Sequence, residues 1–133
     1  MNLTLDLDSE VPIYQQIRDR IVEAIACGEA VEGDPLPSTR QLAADFGINF
    51  HTVNKAYDLL RAQGVIRVNR KSGAVIRRDP ASGPPEPGFS PDWENRMRVL
   101  LAEATVHGID RDETVRRCAA ILSGFTARER TTP

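Results

Sequence analysis

Two short helical patterns separated by Gly47-Ile48-Asn49 constrain this 133-residue chain more than any other feature. The first opens on Ser38-Thr39-Arg40-Gln41, which has the form of a capping box. In such a box the Ser hydroxyl accepts the amide proton three residues on, and the Gln side chain reaches back to the cap. This helix is predicted to run to about Asp45 and to bury Leu42, Ala43 and Phe46 before Gly47 breaks it. Asn49 is the expected N-cap of the second helix. Val53, Ala56, Tyr57 and Leu60 form its inward stripe, and Gly64 ends it. Two helices of this length, joined by so short a turn, have the form of a helix-turn-helix.

The flanking segments fit around that pair. Leu3, Leu5 and Leu7 alternate with Thr4, Asp6 and Asp8, a period of two that predicts a short strand with one buried face. Pro12 suits the first turn of a helix whose apolar stripe is Tyr14, Ile17, Ile21 and Ile25, with Gly28 as its C-cap. Glu29 to Pro37, with Gly33, Pro35 and Pro37, reads as a loop. From Val65 to Arg78 the period changes. Ile66 and Val68 alternate with Arg67 and Asn69, and Val75 and Ile76 return after Lys71-Ser72-Gly73, as in a β-hairpin with a basic tip. The Leu3–Leu7 strand is expected to add to its edge.

Residues 79–91 are rich in Pro and Gly and read as a linker, with Pro91 at the opening of the next helix. Two further helical patterns follow in residues 92–125. Asp110-Arg111-Asp112-Glu113 caps the second, and residues 126–133 are expected to fray. The predicted fold class is mainly α with a small antiparallel β wing. A winged helix-turn-helix over residues 1–78 is followed, after the linker, by a two-helix dimerisation hairpin.

Charge directs attention to the hairpin. The net charge is −2, yet Arg61, Arg67, Arg70, Lys71, Arg77 and Arg78 fall in a stretch without a single acid. Screening confines fields to about 10 Å at ordinary salt, so acids elsewhere do not cancel this patch. No apolar run approaches the roughly 18–20 residues needed to cross a bilayer. The acidic, alternating start is no signal peptide, and the expected location is cytoplasmic, with no membrane partner. Cys27 and Cys118 lack metal or disulfide spacing, so no metal or other cofactor is expected.

The second helix of the pair offers a polar outer face. In a helix-turn-helix, early residues of the second helix reach base edges in the major groove. Asn54 can bond adenine with both ends of its amide, and His51 can donate or accept at a base edge. Lys55 suits guanine or phosphate; Phe50 and Thr52 suit a thymine methyl or a phosphate. A polar face alone is merely a solvated face; the helix-turn-helix context turns the group into a candidate double-stranded DNA reader. Arg70 and Lys71 at the wing tip would supply phosphate contacts. Arg40, in the first turn of the preceding helix, either reaches DNA or pairs with Asp45.

Pro12-Ile13-Tyr14-Gln15-Gln16-Ile17, Leu36-Pro37-Ser38-Thr39-Arg40-Gln41-Leu42-Ala43, Gly47-Ile48-Asn49, Thr52-Val53-Asn54-Lys55-Ala56-Tyr57 and the run from Leu60 to Ile66, in that order, resemble the GntR family of bacterial transcription regulators. The resemblance covers residues 3 to 78 and implies a homodimer on an operator with two similar half-sites. It implies DNA contacts from Ser38, Thr39, Arg40, Asn49 and the start of the recognition helix. Phe50 and His51 stand where the family commonly has small, polar or basic residues, and the wing tip lacks the first glycine of the family's Gly-x-Gly-Thr. The short C-terminal segment is similar to the YtrA-type branch, whose helices mediate dimerisation. A lone helical hairpin cannot bury two apolar stripes by itself. Pairing with a second copy would cover Trp93, Met97, Leu100, Leu101, Val115, Ala119 and Leu122; packing back on the first domain is the alternative.

The expected function is therefore a repressor that binds a palindromic operator as a homodimer, with release by a small effector of unnamed chemistry. A protein-interaction adaptor is the alternative from another class. An enzyme is disfavoured: His51 and His107 are the only histidines, and no catalytic triad or phosphate loop is legible.

Overall fold

A computed structural model describes residues 1–69 and 73–130, arranged as two compact units that divide between Ser82 and Gly83. The first unit contains α1 (Ile13–Ala26), α2 (Thr39–Phe46), α3 (Phe50–Ala62), β1 (Ile66–Asn69) and β2 (Gly73–Ile76). Its core joins Ile17 and Ile21 of α1, Leu42 of α2, Val53 and Leu60 of α3, and Ile66 and Ile76 of the strands. The stripe expected on α3, Val53, Ala56, Tyr57 and Leu60, is the buried one. Gly47 turns the chain between α2 and α3 at φ 66°, a left-handed conformation that costs glycine little.

The two strands pair antiparallel, with Ile66 opposite Ile76 and Asn69 opposite Gly73. Arg70, Lys71 and Ser72, the expected basic tip, lie outside the described residues. The free edge of β2 is taken by the segment read as a plain loop. Leu36 N–H donates to Ala74 O at 2.8 Å, Ile76 N–H to Asp34 O at 2.9 Å, and Pro35 bridges to Val75. With both edges covered, Ala74, Val75 and Ile76 are all buried, whereas only Ile66 is buried in β1.

The expected strand at Leu3–Leu7 does not form. Its backbone is held by a side chain instead. The buried Gln16 amide accepts from Asp6 N–H at 2.8 Å and donates to Asp6 O at 2.9 Å and Val11 O at 2.8 Å. Leu3 and Leu5 still pack on the core, so the alternation marked a half-buried segment correctly; Leu7 is exposed. The capping box is also only half made. Ser38 Oγ accepts from Gln41 N–H at 3.0 Å, but the Gln41 side chain turns forward to Asp45 Oδ1 at 2.8 Å.

Asp79 fastens the end of this unit to the 29–37 loop. Its carboxylate accepts from Glu32 N–H at 2.8 Å and Ala81 N–H at 2.7 Å. These backbone donors, Glu32 first and then Ala81, hold the carboxyl below the usual aspartate range. A lowered folded-state pKa means that the stabilisation is present above the ordinary carboxylate range and is lost as pH falls through the depressed value. Titration by NMR should show the Glu32 and Ala81 amide shifts moving together with the Asp79 carboxyl on acidification. Independent movement would show that the fastening is not made in solution.

The second unit contains α4 (Phe89–Val106) and α5 (Arg111–Arg130). α4 begins at Phe89, two residues before the expected opening at Pro91, with Gly88 at φ 89° as its N-cap. Asp110 caps α5 by accepting from Glu113 N–H at 2.8 Å. Glu113 does not reach back; it pairs forward with Arg116 and Arg117. The α5 backbone stays helical to Arg130, beyond the residue where fraying was expected. Residues 131–133 lie outside the described residues. No described helix is long and apolar enough to cross a membrane.

Candidate nucleic-acid interface

α3 is fixed by its own N-cap and by a tie back to the residue before the α2 cap. Asn49 Oδ1 accepts from His51 N–H at 2.8 Å, satisfying one amide of the helix terminus. Tyr57, about two turns further on, donates its hydroxyl to Pro37 O at 2.7 Å and so ties α3 to the residue before the α2 cap. Burial pushes the Tyr57 phenol above its ordinary range, so it remains a neutral donor.

This geometry gathers the candidate reading residues. Arg40, Asn49, Phe50 and His51 surround one surface depression of about 450 Å³, floored by Ala43 and Ile48. The Arg40 guanidinium lies over the Phe50 ring, 4.4 Å from its centroid, and the rings of Phe50 and His51 are 4.1 Å apart. Arg40 therefore does not make the ion pair with Asp45 that was the alternative to a DNA contact; Asp45 takes the Gln41 amide. His51 and Lys55 are exposed on α3, and Thr52 and Asn54 are half-buried beside them. Ser38 and Asn49 use their side-chain oxygens as helix caps, and Thr39 opens α2.

One feature of this face escaped the sequence reading. The Lys55 ammonium sits over the Tyr14 ring, 4.0 Å from its centroid, although Tyr14 read only as part of the α1 core stripe. The signal was present in the residue type, since a half-buried tyrosine offers an aromatic face to a cation. The pairing itself required knowing that α1 starts beside α3.

In the second unit, Trp93, Leu100 and Leu101 of α4 and Val115 and Leu122 of α5 are exposed, Met97 is half-buried and Ala119 is exposed. Trp93 stacks on Phe89 with centroids 6.3 Å apart. Cys27 is buried and Cys118 exposed, and the two are not joined in a disulfide. Among the described residues no three His, Cys, Asp or Glu side chains stand close enough to hold a metal ion.

A capped helix pair with a polar reading face, followed by a two-stranded wing, defines a winged helix-turn-helix DNA-binding regulator. Residues 13–76 match the bacterial regulatory proteins of the gntR family. The HTH-type transcriptional repressor YtrA of Bacillus subtilis is 30% identical over 125 residues, covering 92% of this chain and 95% of that protein. The repressor MngR of the Escherichia coli mannosyl-D-glycerate transport/metabolism system is 38% identical over 68 residues, only 28% of its own length. Among solved structures, YtrA from Sulfolobus acidocaldarius, a GntR-family transcription factor, is 40% identical with a TM-score of 0.61, covering 78% of this chain and 97% of that one. A transcriptional antiterminator from Listeria monocytogenes EGD-e superposes with a TM-score of 0.81 at 27% identity, covering 92% of this chain and 90% of that one. The chain belongs to the GntR family and is a DNA-binding transcription regulator, not an enzyme.

Proposed function

We propose that this regulator is a repressor that binds a palindromic operator as a homodimer and is released by a small effector. The observation that carries the reading is the pairing of one preformed reading face with a helical hairpin whose apolar side chains are exposed. A single winged helix reads one half-site; joining two copies through α4 and α5 reads two, and multiplies their affinities. The likeness to a repressor over nearly the full length of both chains supports the sign of regulation.

On this reading His51, Thr52, Asn54 and Lys55 present their side chains to the major groove, with Arg40 and Phe50 at its entry. Ser38, Thr39 and Asn49 meet the phosphates beside the two helix N-termini, where backbone amides favour negative charge. Arg70 and Lys71 extend the phosphate contacts along the wing.

Operator selection from random duplexes with the purified chain tests this, together with its solution mass. A palindromic site and a dimer mass are expected. Changing His51 and Asn54 together to Ala should lower operator affinity at fixed salt at least tenfold, while binding to random duplex changes little. Failure of the unaltered chain to discriminate any selected duplex from random DNA at fixed salt would favour a protein-interaction adaptor instead.

A further inference from the structure

A second cavity, of about 400 Å³, lies within the DNA-binding unit and shares no lining residue with the depression at Arg40 and Phe50. Its volume falls in the roughly 300–1,000 Å³ range of small-molecule sites. Met1 to Leu3 form one wall. Ile21 of α1, Leu42 and Phe46 of α2 and the Tyr57 ring of α3 supply apolar surface, so all three helices of the unit meet there. Ile21, Leu42 and Tyr57 are buried, and Leu3 and Phe46 half-buried.

The polar groups that the helical side presents share one character. Asp45 brings an exposed carboxylate. Its Oδ1 accepts from the Gln41 amide, a neutral donor that leaves the negative charge in place. Tyr57 gives its proton to Pro37 O at 2.7 Å, and both residues line the cavity. What that pair offers a ligand is oxygen lone pairs. A molecule suited to this wall donates hydrogen bonds, carries positive charge and buries an apolar body. An organic ammonium ion does all three; an alcohol lacks the charge, and a carboxylate is repelled by Asp45.

The same wall belongs to the helix pair that reads DNA. Tyr57 is on α3, and Pro37 precedes Ser38, the cap of α2. A ligand against the Tyr57 ring and the α2 residues therefore bears on the tie that sets α3 against α2. Contacts of this kind let a ligand favour one setting of two helices over another.

We infer that this cavity takes a small organic ammonium ion with an apolar body, its charge paired with Asp45, and that its occupation lowers operator affinity. The inference rests on the reading that a small effector releases the regulator. It gives that effector a charge and a place inside the DNA-binding unit.

The probe is 2-phenylethylammonium, with 2-phenylethanol and 3-phenylpropionate as neutral and anionic counterparts. Each is titrated into the full chain at constant ionic strength and followed by methyl NMR. The Leu3, Ile21 and Leu42 methyl signals should move along one saturable curve. The ammonium should bind about fivefold more tightly than the alcohol, and the carboxylate most weakly. Asp45→Asn keeps an acceptor for Gln41 and should bind ammonium and alcohol alike. Saturating ammonium should weaken binding to the selected operator about tenfold, and operator should weaken ammonium binding by the same factor, because such coupling is reciprocal. Leu3→Trp fills the cavity and should abolish both effects with operator affinity unchanged; if it unfolds, Asp45→Asn carries the test. The inference is overturned by the absence of a saturable shift with the ammonium, by shifts centred elsewhere, by equal affinity for the three probes, or by saturation without loss of operator affinity. With a palindromic operator still selected, any of these leaves the repressor reading standing. Failure of the unaltered chain to select any duplex overturns both.

Discussion

A chain carrying Leu100→Glu and Leu122→Glu is expected to sediment as a monomer and to bind a two-half-site operator about a hundredfold more weakly. Binding to a single half-site should be unchanged, because neither residue belongs to the DNA-binding unit. The effect is large because the joining of two modest affinities is multiplicative and depends on geometry. Once two reading units are linked, the second binds at an effective concentration set by the link rather than by the solution. Leu100 and Leu122 are each more than 60% exposed, and α4 buries none of its residues. Such side chains contribute about 1.5–3 kcal/mol each when fully removed from water. A carboxylate in their place must instead be desolvated or keep the interface open. Analytical ultracentrifugation and titration against operators with one and two half-sites check both parts. A dimer mass with undiminished affinity would show that the hairpin is not the dimer handle.

The second large effect concerns folding. Leu60→Ala should destabilise the first unit by about 2–5 kcal/mol. Leu60 is wholly buried on α3, in one cluster with Ile17 and Ile21 of α1 and with Ile66 and Ile76 of the wing. Its removal leaves a cavity where three sets of elements meet, and none can close it without dragging the others. Domains of this size hold only about 5–15 kcal/mol in total, so this single change takes a large share. Thermal unfolding should shift downward by about 4–8 °C for each kcal/mol lost. Leu7→Ala, at an exposed position in the same unit, is the control and should leave the transition within about 0.5 kcal/mol. A similar fall for both variants would contradict the core assignment.

The helix-turn-helix was legible because its signals are local. Ser38 and Asn49 cap the helices they precede, Gly47 supplies the left-handed turn, and the spacing from Val53 to Leu60 marks the buried face. Each depends on neighbours within about two helical turns. The alternation of Leu3, Leu5 and Leu7 was equally clear but underdetermined. It records which side of a segment is apolar, not what satisfies its backbone, and Gln16 competes for those groups. The covering of β2 by residues 34–36 was illegible for the same reason: prolines mark a loop but do not say which strand edge it meets.

From the sequence alone follow the family, the winged helix-turn-helix, the polar face of α3 and the apolar residues of the C-terminal helices, since these rest on spacing and residue type. Only the tertiary structure decided how the cations of the reading face are held. Arg40 lies on Phe50 and Lys55 on Tyr14 because α2 and the start of α1 pack beside α3. The sequence left open whether Arg40 meets Asp45 on its own helix. Packing between helices placed an aromatic ring beneath its guanidinium instead.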